Sequence, residues 1–134
     1  AGGKRPLSSM SPTIVEKMGA FYQAVGGRGG SRIISAVYQV LIQCVRWSKN
    51  VLDAVSLPRL HHQLLPWQLQ VEFNYDNAIT NTLISLGHHV RRMQAPWFDA
   101  VTQAVRMHDD GKKSGACDWR KQADISKRCA VDGY

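Results

Sequence analysis

The chain has 134 residues, 44% of them hydrophobic, which is the size and apolar content of one domain. That composition excludes a disordered or fibrous chain, and no apolar run reaches the length of a membrane-spanning helix. The formal charge of +7 comes from 17 basic and 10 acidic residues scattered along the chain, and the densest stretch, 112–128, lacks the interleaved aromatics of a single-strand binder. The charge therefore favours solubility and attraction of anionic ligands, and no nucleic-acid partner is expected.

The first residue is Ala1, not Met, and no apolar signal segment follows, so the chain reads as a processed product or fragment. Residues 1–5 form an exposed lead-in. Two β-rich runs, 13–16 and 20–25, flank Lys17-Met18-Gly19 and predict a hairpin. The second strand delivers the chain into Gly26-Gly27-Arg28-Gly29-Gly30-Ser31.

From Ser31 to Ser48 the polar residues Arg32, Ser35, Gln39, Gln43 and Arg46 recur at three- and four-residue steps. The spacing predicts a helix with a narrow polar stripe, buried on most sides, with Ser31 as its N-cap and Cys44 packed inside. Asn50 is expected to cap a shorter helix through Val55, stopped before Pro58. Leu69, Val71 and Phe73 alternate with polar residues and predict a half-buried strand. Asn77 is then expected to cap a helix that ends at Gly87. A short strand follows over 88–93, and 98–107 fits strand or helix equally by periodicity. Asp109-Asp110-Gly111-Lys112 signals a turn into a last strand ending at Ala116-Cys117. This order, ββ-α-α-β-α-β-ββ, describes mixed layers and not a doubly wound nucleotide fold.

Two stretches carry the chemistry. A glycine-rich turn opening into a helix exposes backbone N–H groups that the helix cannot satisfy, and its dipole favours an anion or a developing oxyanion. The competing reading is a plain turn between strand and helix. A nucleotide loop does not fit: Arg32 stands three residues after Gly29, and no Gly-Lys-Ser/Thr follows. The second stretch is Pro6-Leu7-Ser8-Ser9-Met10-Ser11-Pro12-Thr13, where Pro12 favours an extended backbone that presents the two hydroxyls.

The remaining reactive side chains argue for nothing further. The histidines form two adjacent pairs, His61-His62 and His88-His89, plus His108; neighbours in sequence diverge in space, and no metal-ligand spacing occurs, so neither metal nor cofactor is expected. Asp109 and Asp110 belong to a turn, and the ten carboxylates contain no evident acid/base pair. Thr13, Thr80, Thr82 and Thr102 lack a nucleophile's context, and there is no G-x-S-x-G elbow. Cys44, Cys117 and Cys129 do not make a disulfide framework, although a bridge between the last two is sterically conceivable.

In order and spacing, these motifs resemble the γ-glutamyltranspeptidases (glutathione hydrolases). P-L-S-S-M-S-P-T over residues 6–13 resembles the family signature, and G-G-R-G-G-S-R-I-I over 26–34 resembles its glycine motif. Residues 54–66, from Ala54-Val55 through Pro58-Arg59, His61, Gln63 and Leu65-Pro66, resemble the A-x-x-x-P-R-x-H-x-Q-x-L-P block. Val71-Glu72, Asp118-Trp119-Arg120 and Gly133-Tyr134 follow as in the family.

The resemblance implies an α+β fold, part of the αββα four-layer sandwich of N-terminal-nucleophile hydrolases. It implies one partial domain over residues 1–134, the later portion of a small subunit, with 121–132 as an atypically long tail. By position, Ser8 and Ser9 match the serines that bind the glutamyl α-carboxylate, and Gly29 and Gly30 match the oxyanion-hole glycines. The nucleophilic threonine would lie before Ala1, so this segment alone is expected to be inactive.

The implied partners are glutathione or other γ-glutamyl compounds, an amino-acid or peptide acceptor or water, the large subunit and the rest of the small subunit. Family habit implies an extracellular or periplasmic site. Arg28 and Trp119 depart from the family pattern. A second reading is a light-chain-like homologue without its own nucleophile, acting as a binding module.

Overall fold

A computed structural model of the chain describes residues 2–94, 100–121 and 129–132. Strands β1 (Thr13–Lys17) and β2 (Ala20–Arg28) form the expected hairpin. Met18 and Gly19 both take positive φ (54° and 79°), as a two-residue loop matched to the strand twist requires. Val15 pairs with Gln23 and Glu16 with Phe21, so Tyr22 is the extra residue of a bulge.

The second strand runs further than the sequence suggests. Gly26, Gly27 and Arg28 pair with Gln103, Thr102 and Val101 of β6 (Val101–Met107). Half of the glycine run is therefore sheet, and the turn is confined to Gly29 and Gly30, with φ of 132° and 60°. Gly27 is glycine for a packing reason: a Cβ there would lie 2.7 Å from the Val101 carbonyl oxygen.

The ambiguous stretch resolves as strand from Val101, while residues 98 and 99 lie outside the described residues. Gly111, at φ 82°, closes the turn to β7 (Lys113–Cys117), with His108 N–H donating to the Lys112 carbonyl. Strand β8 (Cys129–Asp132) falls inside the segment read as a tail and pairs with β7, setting Cys129 opposite Cys117. The sheet order is β1-β2-β6-β7-β8.

Helices α1 (Arg32–Val45) and α2 (Val51–Ser56) cover one face of this sheet. Val25, Ala104 and Ala116 from the strands pack there against Ile33, Val37, Val40, Cys44, Val51, Ala54 and Val55. Asn50 caps α2 as expected, its side chain accepting the Asp53 N–H at 2.7 Å.

The orientation of α1 corrects the sequence expectation. It is covered on most sides, as expected, but the strip left exposed is apolar: Ile34, Tyr38 and Val45, with Trp47 just beyond its end. Its polar stripe instead faces protein. Arg32 donates to Gln70, Ser35 meets His61, and Gln39 donates to the Leu60 carbonyl and accepts the Leu60 N–H. Ser31 occupies the N-cap position but makes no cap bond: its backbone is already helical (φ −60°, ψ −23°), and its hydroxyl donates to Gln63.

The elements that meet this stripe form a second, smaller sheet. Its order is β3 (Leu60–His61), β4 (Leu69–Val71) and β5 (Val90–Arg92), antiparallel then parallel. Phe73 lies beyond the end of β4 and is exposed. Between β4 and β5 lies α3 (Asn77–Ser85), capped by Asp76 and not Asn77: the Asp76 carboxylate accepts the Ala78 and Ile79 N–H groups at 2.7 and 3.0 Å. Gly87 ends it as expected, with Gly87 N–H bonded to the Ile84 carbonyl and His88 N–H to that of Leu83.

Replacing Gly27 by Ala is expected to cost about 1–3 kcal/mol, because the β2–β6 pair must move apart. Gly26→Ala, where a Cβ meets nothing within 4 Å, is expected to cost under about 0.5 kcal/mol. Thermal unfolding of the two variants in the full-length protein checks the contrast.

Candidate functional site

The hairpin register determines where the two informative stretches lie. Thr13 pairs with Val25 at the end of the hairpin away from the Met18-Gly19 turn. The Ser8-Ser9 segment enters at that end and the Gly29-Gly30 turn leaves from it. Each lies only four or five residues beyond that pair, within about 18 Å of extended chain.

Ser8 is exposed and Ser9 half-buried. The Ser8 Oγ accepts the Met10 N–H at 3.1 Å, and the Ser9 carbonyl accepts the Ser11 hydroxyl at 3.0 Å. These local bonds hold an extended segment, and the Ser8 hydroxyl proton has no acceptor among the described residues.

Gly30 is exposed, Gly29 half-buried, and the Gly30 carbonyl accepts the Ile33 N–H at 3.1 Å, which closes the turn onto α1. Among the described residues no backbone acceptor is paired with the Gly30 N–H. A positive φ followed by the start of a helix turns successive N–H groups the same way, an arrangement suited to negative charge. Arg28 closes β2 and is exposed.

The segment after α2 is anchored by a buried group of four charges. Arg59, wholly enclosed, donates to the carbonyls of Val55 (2.7 Å) and Ala100 (2.9 Å) and to the Thr102 hydroxyl (2.8 Å), and pairs with Asp118 at 2.8 Å. Arg120 grips Glu72 through two nitrogens, Nε and Nη2, and reaches Asp118 at 2.9 Å and the carbonyls of Val55 and Leu57. Glu72 also accepts the Arg59 backbone N–H at 2.9 Å. Two guanidiniums and two carboxylates therefore balance in a site closed to water.

Burial raises the Asp118 pKa, but Arg59, Arg120 and the N–H groups of Thr102 and Arg120 outweigh it and hold the carboxyl below its ordinary value. Burial and the nearby Arg120 charge lower the pKa of Arg59. Trp119 packs at 8% exposure with its indole N–H toward the Ser56 carbonyl and the Arg120 guanidinium 4.8 Å from its ring.

Sequence reasoning assigned no role to Arg59, Glu72, Asp118 or Arg120, whose partners lie far apart along the chain. Their signal was their place in the blocks that carry the family resemblance. The histidines are engaged separately. His61 is buried between Ser35 and Gln63, His62 packs edge-on to Trp67 and His88, and His108 meets Ser114. Among the described residues no group of three or more His, Cys, Asp or Glu could hold a metal ion.

A cleft of about 460 Å³ lies elsewhere, lined by Tyr38, Ile42, Trp47, Leu57, Pro58 and Tyr75 among others. The helical rise separates Ile42 from Ser31 by about 16 Å. The cleft is distinct from the glycine turn.

The described residues thus form a mixed helix-and-sheet fold, with the serine segment and the glycine turn at one end of its hairpin. The sequence profile of the gamma-glutamyltranspeptidases matches residues 1–127, and the chain belongs to that family. It is 40% identical over 123 residues to the glutathione hydrolase proenzyme of Escherichia coli, covering 92% of this chain and 21% of that protein. It superposes on Helicobacter pylori gamma-glutamyltranspeptidase with a TM-score of 0.77 and 36% identity, over 90% of this chain and 65% of that one. An acivicin-inhibited gamma-glutamyltranspeptidase, in which the C-terminus has critical roles in autoprocessing and catalysis, gives 0.79 and 36% over 91% and 65%. The chain thus spans about a fifth of the length of the Escherichia coli relative.

Acid stability gives a direct check on the charge group. A carboxyl with a depressed native pKa contributes stability above its unfolded value near 3.9, and loses it as pH falls through the native value. The native state is therefore expected to weaken as pH drops below about 4. Asp118→Asn leaves Arg59 less compensated and is expected to cost about 3–5 kcal/mol at neutral pH, while flattening the acid limb. Denaturant unfolding of the full-length protein between pH 3 and 7 measures both effects.

Proposed function

We propose that this chain is the later part of the small subunit of a γ-glutamyltransferase acting on glutathione and related γ-glutamyl compounds. In this reading Ser8 and Ser9 donate hydroxyl bonds to the glutamyl α-carboxylate. The Gly29 and Gly30 N–H groups receive the oxyanion that forms when a threonine supplied from upstream of Ala1 attacks the γ-glutamyl amide. Collapse of that intermediate breaks the C–N bond, the threonine hydroxyl proton leaves on the amine, and a glutamyl ester remains on the threonine. Water or an amino-acid acceptor then takes up the glutamyl group through a second oxyanion at the same N–H groups.

The observation that carries the reading is the emergence of the serine segment and the positive-φ glycine turn from the same end of the β1–β2 hairpin. A substrate with a carboxylate at one end and a reacting carbonyl further along needs that pairing. Family membership supports the chemical class.

The wider architecture proposed is the four-layer αββα sandwich. Its support is the sheet face that α1 and α2 leave uncovered, where Pro12, Ile14, Ala24, Gly26 and Val105 line a shallow apolar hollow of about 350 Å³. A second sheet, from the rest of the small subunit and the large subunit, would cover it.

The test is release of p-nitroaniline from γ-glutamyl-p-nitroanilide. The full-length protein is expected to be active and residues 1–134 alone inactive. Ser8→Ala combined with Ser9→Ala is expected to raise KM at least about tenfold, since each hydroxyl bond to a carboxylate contributes about 1.5–3 kcal/mol. Gly30→Ala, strained at φ 60°, is expected to lower kcat by about 100-fold or more through the displaced N–H. An inactive full-length protein contradicts the activity, and an unchanged KM in the serine double variant contradicts the carboxylate assignment.

A further inference from the structure

Behind the glycine turn runs a continuous line of side-chain hydrogen bonds that the reaction described above does not use. The Ser31 hydroxyl donates to Gln63 Oε1 at 2.7 Å. His61 Nε2 lies 2.9 Å from that same oxygen. Gln63 Nε2 is occupied separately, donating to the Leu65 carbonyl at 3.0 Å, so the amide is oriented with its oxygen toward Ser31 and His61. That orientation puts a proton on His61 Nε2. On the far side of the ring, Nδ1 lies 2.8 Å from Ser35 Oγ, which is also 3.0 Å from the Arg32 carbonyl.

The line leaves α1 at Ser31 and returns to it at Ser35, one helical turn further on. His61 is the rigid member: it is 4% exposed and sits in β3, whose other residue, Leu60, is held through both its backbone groups by Gln39. Gln63 is exposed and reaches the turn only because His61 and the Leu65 carbonyl fix its amide.

We propose that His61 is a positioning residue for the oxyanion turn, acting through Gln63 on Ser31. The proposal rests on the γ-glutamyl-transfer reading given above. Ser31 directly follows Gly29 and Gly30, so fixing its hydroxyl fixes the direction of the N–H groups at the start of α1. A turn held this way meets the oxyanion without reorganising, and that benefit arises only in the transition state. Loss of the link should therefore appear in kcat and leave the binding of the γ-glutamyl group nearly unchanged.

The test uses the full-length protein with two surface variants, Ser31→Ala and Gln63→Leu, together with His61→Ala. Each is expected to lower kcat for γ-glutamyl-p-nitroanilide about tenfold with KM changed less than about twofold, the effect of one well-placed hydrogen bond. The Ser31→Ala/Gln63→Leu pair is expected to be no worse than the poorer single variant, because both break one link. Ser31→Thr, which keeps the hydroxyl, is expected to restore most of kcat.

Amide hydrogen exchange over residues 26–36 supplies a readout independent of turnover and is expected to accelerate in Gln63→Leu. Unchanged kcat in Gln63→Leu, additive losses in the double variant, or unaltered exchange would each overturn the proposal. A wild-type protein inactive on the anilide would contradict the γ-glutamyl-transfer reading, and exchange over residues 26–36 would still decide whether His61 and Gln63 order the turn.

Discussion

The interaction on which the arrangement depends is the enclosed set of Arg59, Glu72, Asp118 and Arg120. It ties together the end of α2, the end of β4, the start of β6 and the 3₁₀ turn at Trp119–Lys121. Such a group gives little net stability over a well-packed apolar cluster, because its charges give up water. Its force is conditional. Once three members are in place, the fourth position has one acceptable occupant, and a wrong register leaves a buried charge unpaired. That makes it a device for specifying geometry.

The geometry specified leads toward the glycine turn. Arg59 fixes the chain as it leaves α2, Leu60 is clasped by Gln39, His61 lodges against Ser35, and Gln63 arrives at Ser31. Five residues thus connect the buried charges to the N-terminus of α1. The same segment explains why α1 turns its polar stripe toward protein: Arg32, Ser35 and Gln39 are the partners that the small sheet requires. The exposed Ile34, Tyr38, Val45 and Trp47 are then left on the outer face.

Much of this was legible in the sequence where the signal is local. The β1–β2 hairpin, the Asn50 cap and the Gly87 stop each follow from a few adjacent residues whose conformational preferences agree. Local reasoning failed where the decisive partner is distant. The periodicity of α1 identified a helix with a polar stripe, yet what the stripe faces depends on Leu60, His61 and Gln70, more than twenty residues on. Two-residue β3 carries no periodicity at all. Asp76 displaced Asn77 as the cap because its carboxylate accepts two N–H groups at once. The glycine run read as one turn because composition does not reveal that β6 lies against Gly27.

The serine segment and the glycine turn were legible as chemistry before their placement was known, since hydroxyl donors and helix-start N–H groups suit a carboxylate and an oxyanion. What the fold adds is their common position at one end of a hairpin, with a line of side chains behind the turn. The most direct measurement of this account is a crystal structure of the full-length protein with glutamate bound. The account predicts the α-carboxylate on the Ser8 and Ser9 hydroxyls and the γ-carboxyl oxygen facing the Gly29 and Gly30 N–H groups. A glutamate held with its α-carboxylate away from both serines, or its γ-carboxyl turned from the glycine turn, would contradict it.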